Sequence, residues 1–97
     1  MIYVKINNAG ENEIIAICDA NLIGKKFSEN GLNLEITERF YKGEIMDEEK
    51  VIDLLQDAKN INIVGKESVK LGIKVGIIDE DNIIKIKNIP HALVFGI

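Results

Sequence analysis

Thiol-based catalysis needs a nucleophile, a base and an orienting carboxylate, and this chain holds one cysteine and one histidine, Cys18 and His91, with Asp19 beside the cysteine. A thiolate attacks, an imidazole takes its proton, and the carboxylate fixes the ring. Each residue falls at the end of an apolar stretch. The trio can therefore act together only where those stretches are neighbours with matching ends. The simpler expectation is that Cys18 is a small core residue with an inert thiol. His91, entered through the rigid Pro90, then only satisfies a backbone carbonyl. One Cys and one His fall short of the usual four ligands of a structural zinc site, so no metal is expected.

The stretch NIVGKESVKLG (62–72) raises a second chemistry. A strand, a glycine and a helix opening on lysine is a phosphate-binding arrangement: free N–H groups at the helix start face an anion, and Gly65 lets it come close. Lys66 and Ser68 would add donors. The fingerprints themselves are missing. A P-loop would need Gly at 60 and Ser or Thr at 67, where Asn60 and Glu67 stand. There is no GxGxxG, and no cofactor is expected. Glu67 on the first helical turn also opposes an anion, which favours a structural turn.

Lys66, Lys70 and Lys74 recur every four residues and share one helix face, opposite Val69 and Ile73. Lys85 and Lys87 form a second basic row. Two such rows can follow a phosphate backbone, although lysines on the exposed face of an amphipathic helix are ordinary. Phe40 and Tyr41 sit in RFYKG (39–43), just past a strand, and are expected to be partly exposed. They would then serve as stacking surfaces for RNA or as the contact for a protein partner. On that expectation Tyr41→Ser leaves thermal stability nearly intact. Asp79, Glu80 and Asp81 lack calcium-loop spacing and read as a solvated turn.

The elements that must position these residues follow from periodicity. IYVKI (2–6) alternates, and EIIAIC (13–18) is apolar on both faces. They form a hairpin, with the second strand central. Residues 19–31 read as a connection, pinned by Leu22, Ile23 and Phe27, and LNLEITE (32–38) as a third strand. DEEKVIDLLQDAK (47–59) is the clearest helix, N-capped by Asp47, with Val51, Leu54, Leu55 and Ala58 inward. INIV (61–64) is a strand, KESVKLGIKV (66–75) a helix stopped by Gly76, and GIID (76–79) a strand completing a C-terminal βαβ unit. Strands at 83–87 and 91–97 close the chain. The expected fold is α+β or mixed α/β: one small domain, residues 1–97, with a mixed sheet of about six strands and two helices.

Composition sets the class. Apolar residues make up 46% and charged residues 29% of the chain, a folded globular balance. No apolar run approaches the roughly 20 residues that span a bilayer. The start MIYVKINNAG has no signal-peptide pattern. With one cysteine, these point to a cytoplasmic protein. Net charge is −4, against a protein coated in basic residues. Residues 1–58 carry six Lys/Arg against twelve Asp/Glu, and residues 59–97 six Lys against four Asp/Glu. The polarity hints at a basic C-terminal surface.

AICDANLIGKKF, RFYKG, NIVGKESV and IPHA occur in an order and spacing that resembles the small archaeal family called domain of unknown function 424. The likeness runs through essentially the whole chain, with Cys18, Asp19, Gly24, Phe40, Tyr41, Gly43, Gly65, Pro90 and His91 at the matching positions. It implies an archaeal cytoplasmic protein of about this length. It implies no activity, and carries a loose association with archaeal translation genes. The leading expectation is a non-enzymatic module binding RNA or a ribonucleoprotein through Gly65, Lys66, Lys70, Lys74, Phe40 and Tyr41. The alternative is a small enzyme or ligand-binding protein built around Cys18, Asp19 and His91.

Overall fold

The alternating N-terminus becomes β1 (Ile2–Ala9), and a two-residue turn with Gly10 at φ +65° folds it onto β2 (Asn12–Asp19). The structure, a computed structural model, describes residues 1–96. A short 3₁₀ turn (Ala20–Leu22) leads into a ribbon of β3 (Lys26–Glu29) and β4 (Leu32–Glu35), joined through Asn30 and Gly31, both at positive φ. That is the backbone Asn-Gly is suited to in a tight hairpin. Then come α1 (Glu38–Tyr41), β5 (Glu44–Met46), α2 (Glu48–Asp57), β6 (Asn60–Val64), α3 (Lys66–Val75), β7 (Ile84–Ile86) and β8 (Ile89–Phe95). Residue 97 of the expected last strand lies outside the described residues.

The main sheet has six strands in the order β5-β1-β2-β6-β8-β7. Its only parallel neighbours among the described strands are β2 and β6, with Cys18 opposite Val64. Mixed α+β architecture, one domain and a six-stranded sheet therefore stand. Radius of gyration is 12.4 Å, close to the ~13 Å of a compact domain this size.

Three local expectations change. GIID is not a strand, and there is no βαβ unit at 61–79. The second neighbour of β6 is β8, antiparallel, with Val64 opposite His91. The segment after α3 instead buries Ile78 against Gly72 of that helix. The chain from 32 to 38 forms only β4, which lies in the separate ribbon. There Thr37 then caps a third helix, the one-turn α1, its Oγ1 accepting from Phe40 N–H at 3.2 Å. Residues 26–29, expected as irregular connection, are β3.

Period-two alternation splits the core into two layers. Ile15, Ile17, Ile61, Ile63 and Ala92 pack under α2 and α3 with Val51, Leu55, Val69 and Leu71. Ala16, Cys18 and Val64 point to the opposite face, covered by Leu22 of the 3₁₀ turn, Leu34 of the ribbon, Ile36 just after it and Tyr41 of α1. Asp47 caps α2 as expected, Oδ1 accepting from Lys50 N–H at 2.9 Å. Gly76 ends α3 in the left-handed conformation.

Candidate functional site

The turn at Gly65 is already occupied by a carboxylate. Asp19, at the end of β2, is buried, and its side chain reaches the start of α3. Oδ2 accepts from Glu67 N–H at 3.1 Å, and Oδ1 accepts from Ser68 N–H at 2.8 Å and from Ser68 Oγ–H at 2.7 Å. The free N–H groups and positive dipole end that would hold a phosphate are thus taken from within the chain. Gly65 has φ +107°, and a Cβ there would lie 2.6 Å from both Asp19 oxygens. The glycine makes room for the aspartate rather than for a ligand. As a phosphate cradle, Gly65 is corrected on this geometry.

The Cys18–Asp19–His91 trio is divided by the sheet. Cys18, Val64 and His91 stand in one row across β2, β6 and β8, on the face covered by the ribbon. Two strand spacings separate Cys18 from His91, about 10 Å at ~4.8 Å each. Asp19 points to the other face. Cys18 has no exposed surface, and burial, aided by the adjacent Asp19 carboxylate, pushes its thiol up to about 12. A buried thiol with a raised pKa is the opposite of the lowered, accessible thiol that a nucleophile needs.

His91 is partnered instead by Asn62. Asn62 Oδ1 accepts from Tyr41 O–H at 2.7 Å and from His91 Nε2–H at 2.9 Å. An oxygen can only accept, so Nε2 carries the ring proton. Burial lowers the His91 pKa from 6.5, keeping the ring neutral at physiological pH. Burial likewise holds the Tyr41 phenol well above its usual range, with Cys18 raising it further and the Asn62 hydrogen bond opposing. The network ties α1 to β6 and β8. Asn62 escapes notice in the sequence, yet an amide inside the apolar run INIV must find partners.

Tyr41 is 3% exposed, against the expectation of an open aromatic. On the helical turn the two side chains point about 100° apart, and the cover of β2 and β6 falls on one of them. Tyr41 enters the core, and Phe40 stays half-buried with its ring edge-on to Tyr41 at 4.9 Å. Lys5 Nζ and Asn7 Nδ2 donate to the carbonyls of Arg39 and Phe40, which fastens α1 to β1. Phe40 therefore lies beyond the opposite half of the sheet from the lysines of α3.

Those lysines do not act as one stripe. Lys74 Nζ lies 3.3 Å from Glu48 of α2, as an exposed ion pair. Each step of four residues turns a helix face by about 40°, so Lys74 has rotated about 80° from Lys66. Lys66 and Lys70 face the other way, into a groove of about 860 Å³ between α3 and β7. Lys85 enters from β7, opposite Pro90, whose carbonyl accepts from Gly65 N–H, so Lys66 and Lys85 meet at one end. Val69 and Ile73, expected on the opposing face, line this same groove, because on a helix Ile73 falls only about 20° and Val69 about 60° around from Lys66. Exposed Ile73 and half-buried Ile83, above the buried Val69 and Pro90, give an apolar floor, and Glu80 and Asp81 reach the groove from the turn before β7. Among the described residues, no group of three or more His, Cys, Asp or Glu side chains is placed to hold a metal ion. No described helix is long and apolar enough to cross a membrane.

The family profile "Protein of unknown function (DUF424)" matches residues 6–97, and the chain belongs to that family. Among solved structures, the chain is similar to an uncharacterized conserved protein from Methanopyrus kandleri. That likeness has a TM-score of 0.76 and 24% identity, and covers 99% of this chain and 93% of the other. It shows a shared fold. No curated protein matches.

Proposed function

Membership of a family of unknown function names no activity, so we propose from the groove itself that this chain is a non-enzymatic binding module for RNA or a ribonucleoprotein. The observation that carries the reading is the convergence of Lys66, Lys70 and Lys85, from two different elements, on one open groove with an apolar floor. Three cations brought together without ion-pair partners among the described residues form a surface for an anionic chain. Lys66 and Lys70 stand one helical turn apart, about 6 Å along the axis, a separation suited to successive phosphates rather than to one. The acidic remainder of the molecule repels a polyanion and confines it to this groove. A reducing interior such as the cytoplasm fits a chain whose one cysteine is free and buried.

The test is fluorescence-anisotropy titration of labelled RNA with the parent protein and four single variants. Lys66→Gln, Lys70→Gln and Lys85→Gln are each expected to weaken binding. Lys74→Gln, whose charge lies against Glu48, is expected to leave it unchanged. Equal losses at all four positions would dissolve the groove into a diffuse charge effect. No binding at low salt would remove the RNA reading.

A further inference from the structure

The groove's lining does more than attract phosphate. It mixes three lysines with two carboxylates, Glu80 and Asp81, and among the described residues neither acid is paired with a lysine. A ligand that satisfies this lining carries negative charge at one place and hydrogen-bond donors at another, with a flat apolar body between them to cover Ile73 and the open part of Ile83. A nucleotide has this distribution. Its phosphate meets the lysines, its base lies on the aliphatic floor, and donors on the base edge meet the carboxylates.

We propose that the groove takes an unpaired RNA segment and selects within it a base with a donor-rich edge, guanine above all; this rests on the RNA reading above. Guanine presents N1–H and N2–H side by side, a match for the two oxygens of one carboxylate. Cytosine and adenine offer an amino group beside an acceptor. Uracil offers one N–H between two carbonyls, which a carboxylate repels. Those edges are free only in a single strand, because pairing consumes them. The dimensions agree. At about 860 Å³ the groove has the size of a small-ligand site, typically ~300–1,000 Å³, and not that of a platform for two grooves of a duplex. Ile73 is 40% exposed and free to be covered by a base.

The experiment uses the full chain and a short oligouridine carrying one central G, C, A or U, together with a hairpin duplex of the same length, at about 50 mM salt, where phosphate contacts are strong. The G-bearing strand is expected to bind about tenfold or more tighter than the all-U strand, the scale of one hydrogen bond to a charged acceptor, with the duplex weakest. In Glu80→Gln with Asp81→Asn, the preference for G over U is expected to collapse while affinity for the all-U strand holds or rises. Equal binding of all single strands, still dependent on Lys66, Lys70 and Lys85, would overturn base selection and leave the RNA reading intact. A duplex binding more tightly than the single strands would overturn it too. Competition by guanosine monophosphate as strong as that of the oligomer would reassign the groove to a free nucleotide and overturn the segment. No binding of any strand would remove both readings.

Discussion

Asp19, an acid beside the chain's single thiol, is placed by its hydrogen bonds as a helix cap reaching from β2 to α3, with Gly65 clearing the space. Asp19→Asn keeps the shape but turns an amide toward N–H groups that need acceptors. The expected loss is about 1–2 kcal/mol, or roughly 5–10 °C in melting temperature for a domain of this size. Gly65→Ala combines a strained positive φ with contact on the Asp19 carboxylate, and is expected to cost at least as much. Thermal unfolding of the two variants checks both. Full stability of Asp19→Asn would mean that the carboxylate is held for chemistry rather than for folding. Tyr41 gives a parallel case. Removing its hydroxyl in Tyr41→Phe deprives Asn62 of one donor and is expected to cost about 1 kcal/mol. Tyr41→Ser also empties a core position and is expected to cost about 3 kcal/mol or more. Both are readable by urea denaturation, and a stable Tyr41→Ser would restore Tyr41 as a surface contact.

The elements differ in how plainly they could be read ahead. The strand at β2 and the helices α2 and α3 follow from a doubly apolar run, two i, i+3, i+4 patterns, the Asp47 cap and the Gly76 stop. The β3–β4 ribbon is harder. Lys26–Glu29 holds one apolar residue, Phe27, and only Asn30-Gly31 announces the turn. GIID has strand composition, but nothing local says that β8 will take the open side of β6. Phe40 and Tyr41 read alike, and tertiary cover alone sends one inward. The lysine repeat was visible, while its division between the groove and Glu48 depends on where α2 and β7 lie. The Tyr41–Asn62–His91 link depends on such packing and makes the α1–β6–β8 junction pH-sensitive. The folded pKa of His91 lies below its ordinary 6.5, so on acidification the unfolded chain binds the proton first. The stabilising difference is complete above about 6.5 and is lost as pH falls toward the folded value. In urea unfolding, the stability advantage of the parent over His91→Gln is expected to shrink between about pH 7.5 and pH 5.5, with carboxylate titrations cancelling between the two. A difference independent of pH would place His91 in solvent.

For the whole molecule, charge sets how strongly any RNA can be held. The chain carries −4 overall, yet its basic half presents Lys66, Lys70 and Lys85 in one groove. Binding to single strands releases about 0.7 counterion per phosphate contacted, so three contacts give a slope of log K against log salt near −2. Three of the other lysines are engaged away from the groove. Lys74 and Lys26 lie in exposed ion pairs with Glu48 and Glu35, and Lys5 is turned to the carbonyl of Arg39 across the sheet. Each of Lys66→Gln, Lys70→Gln and Lys85→Gln is expected to flatten the slope by about 0.7, and Lys74→Gln to leave it unchanged. The salt series of the parent and four variants measures this directly. A parent slope steeper than about −4 would require phosphate contacts well beyond the groove and would overturn it as the whole footprint. A slope near zero would mean that the lysines are spectators and that the apolar floor alone holds the ligand.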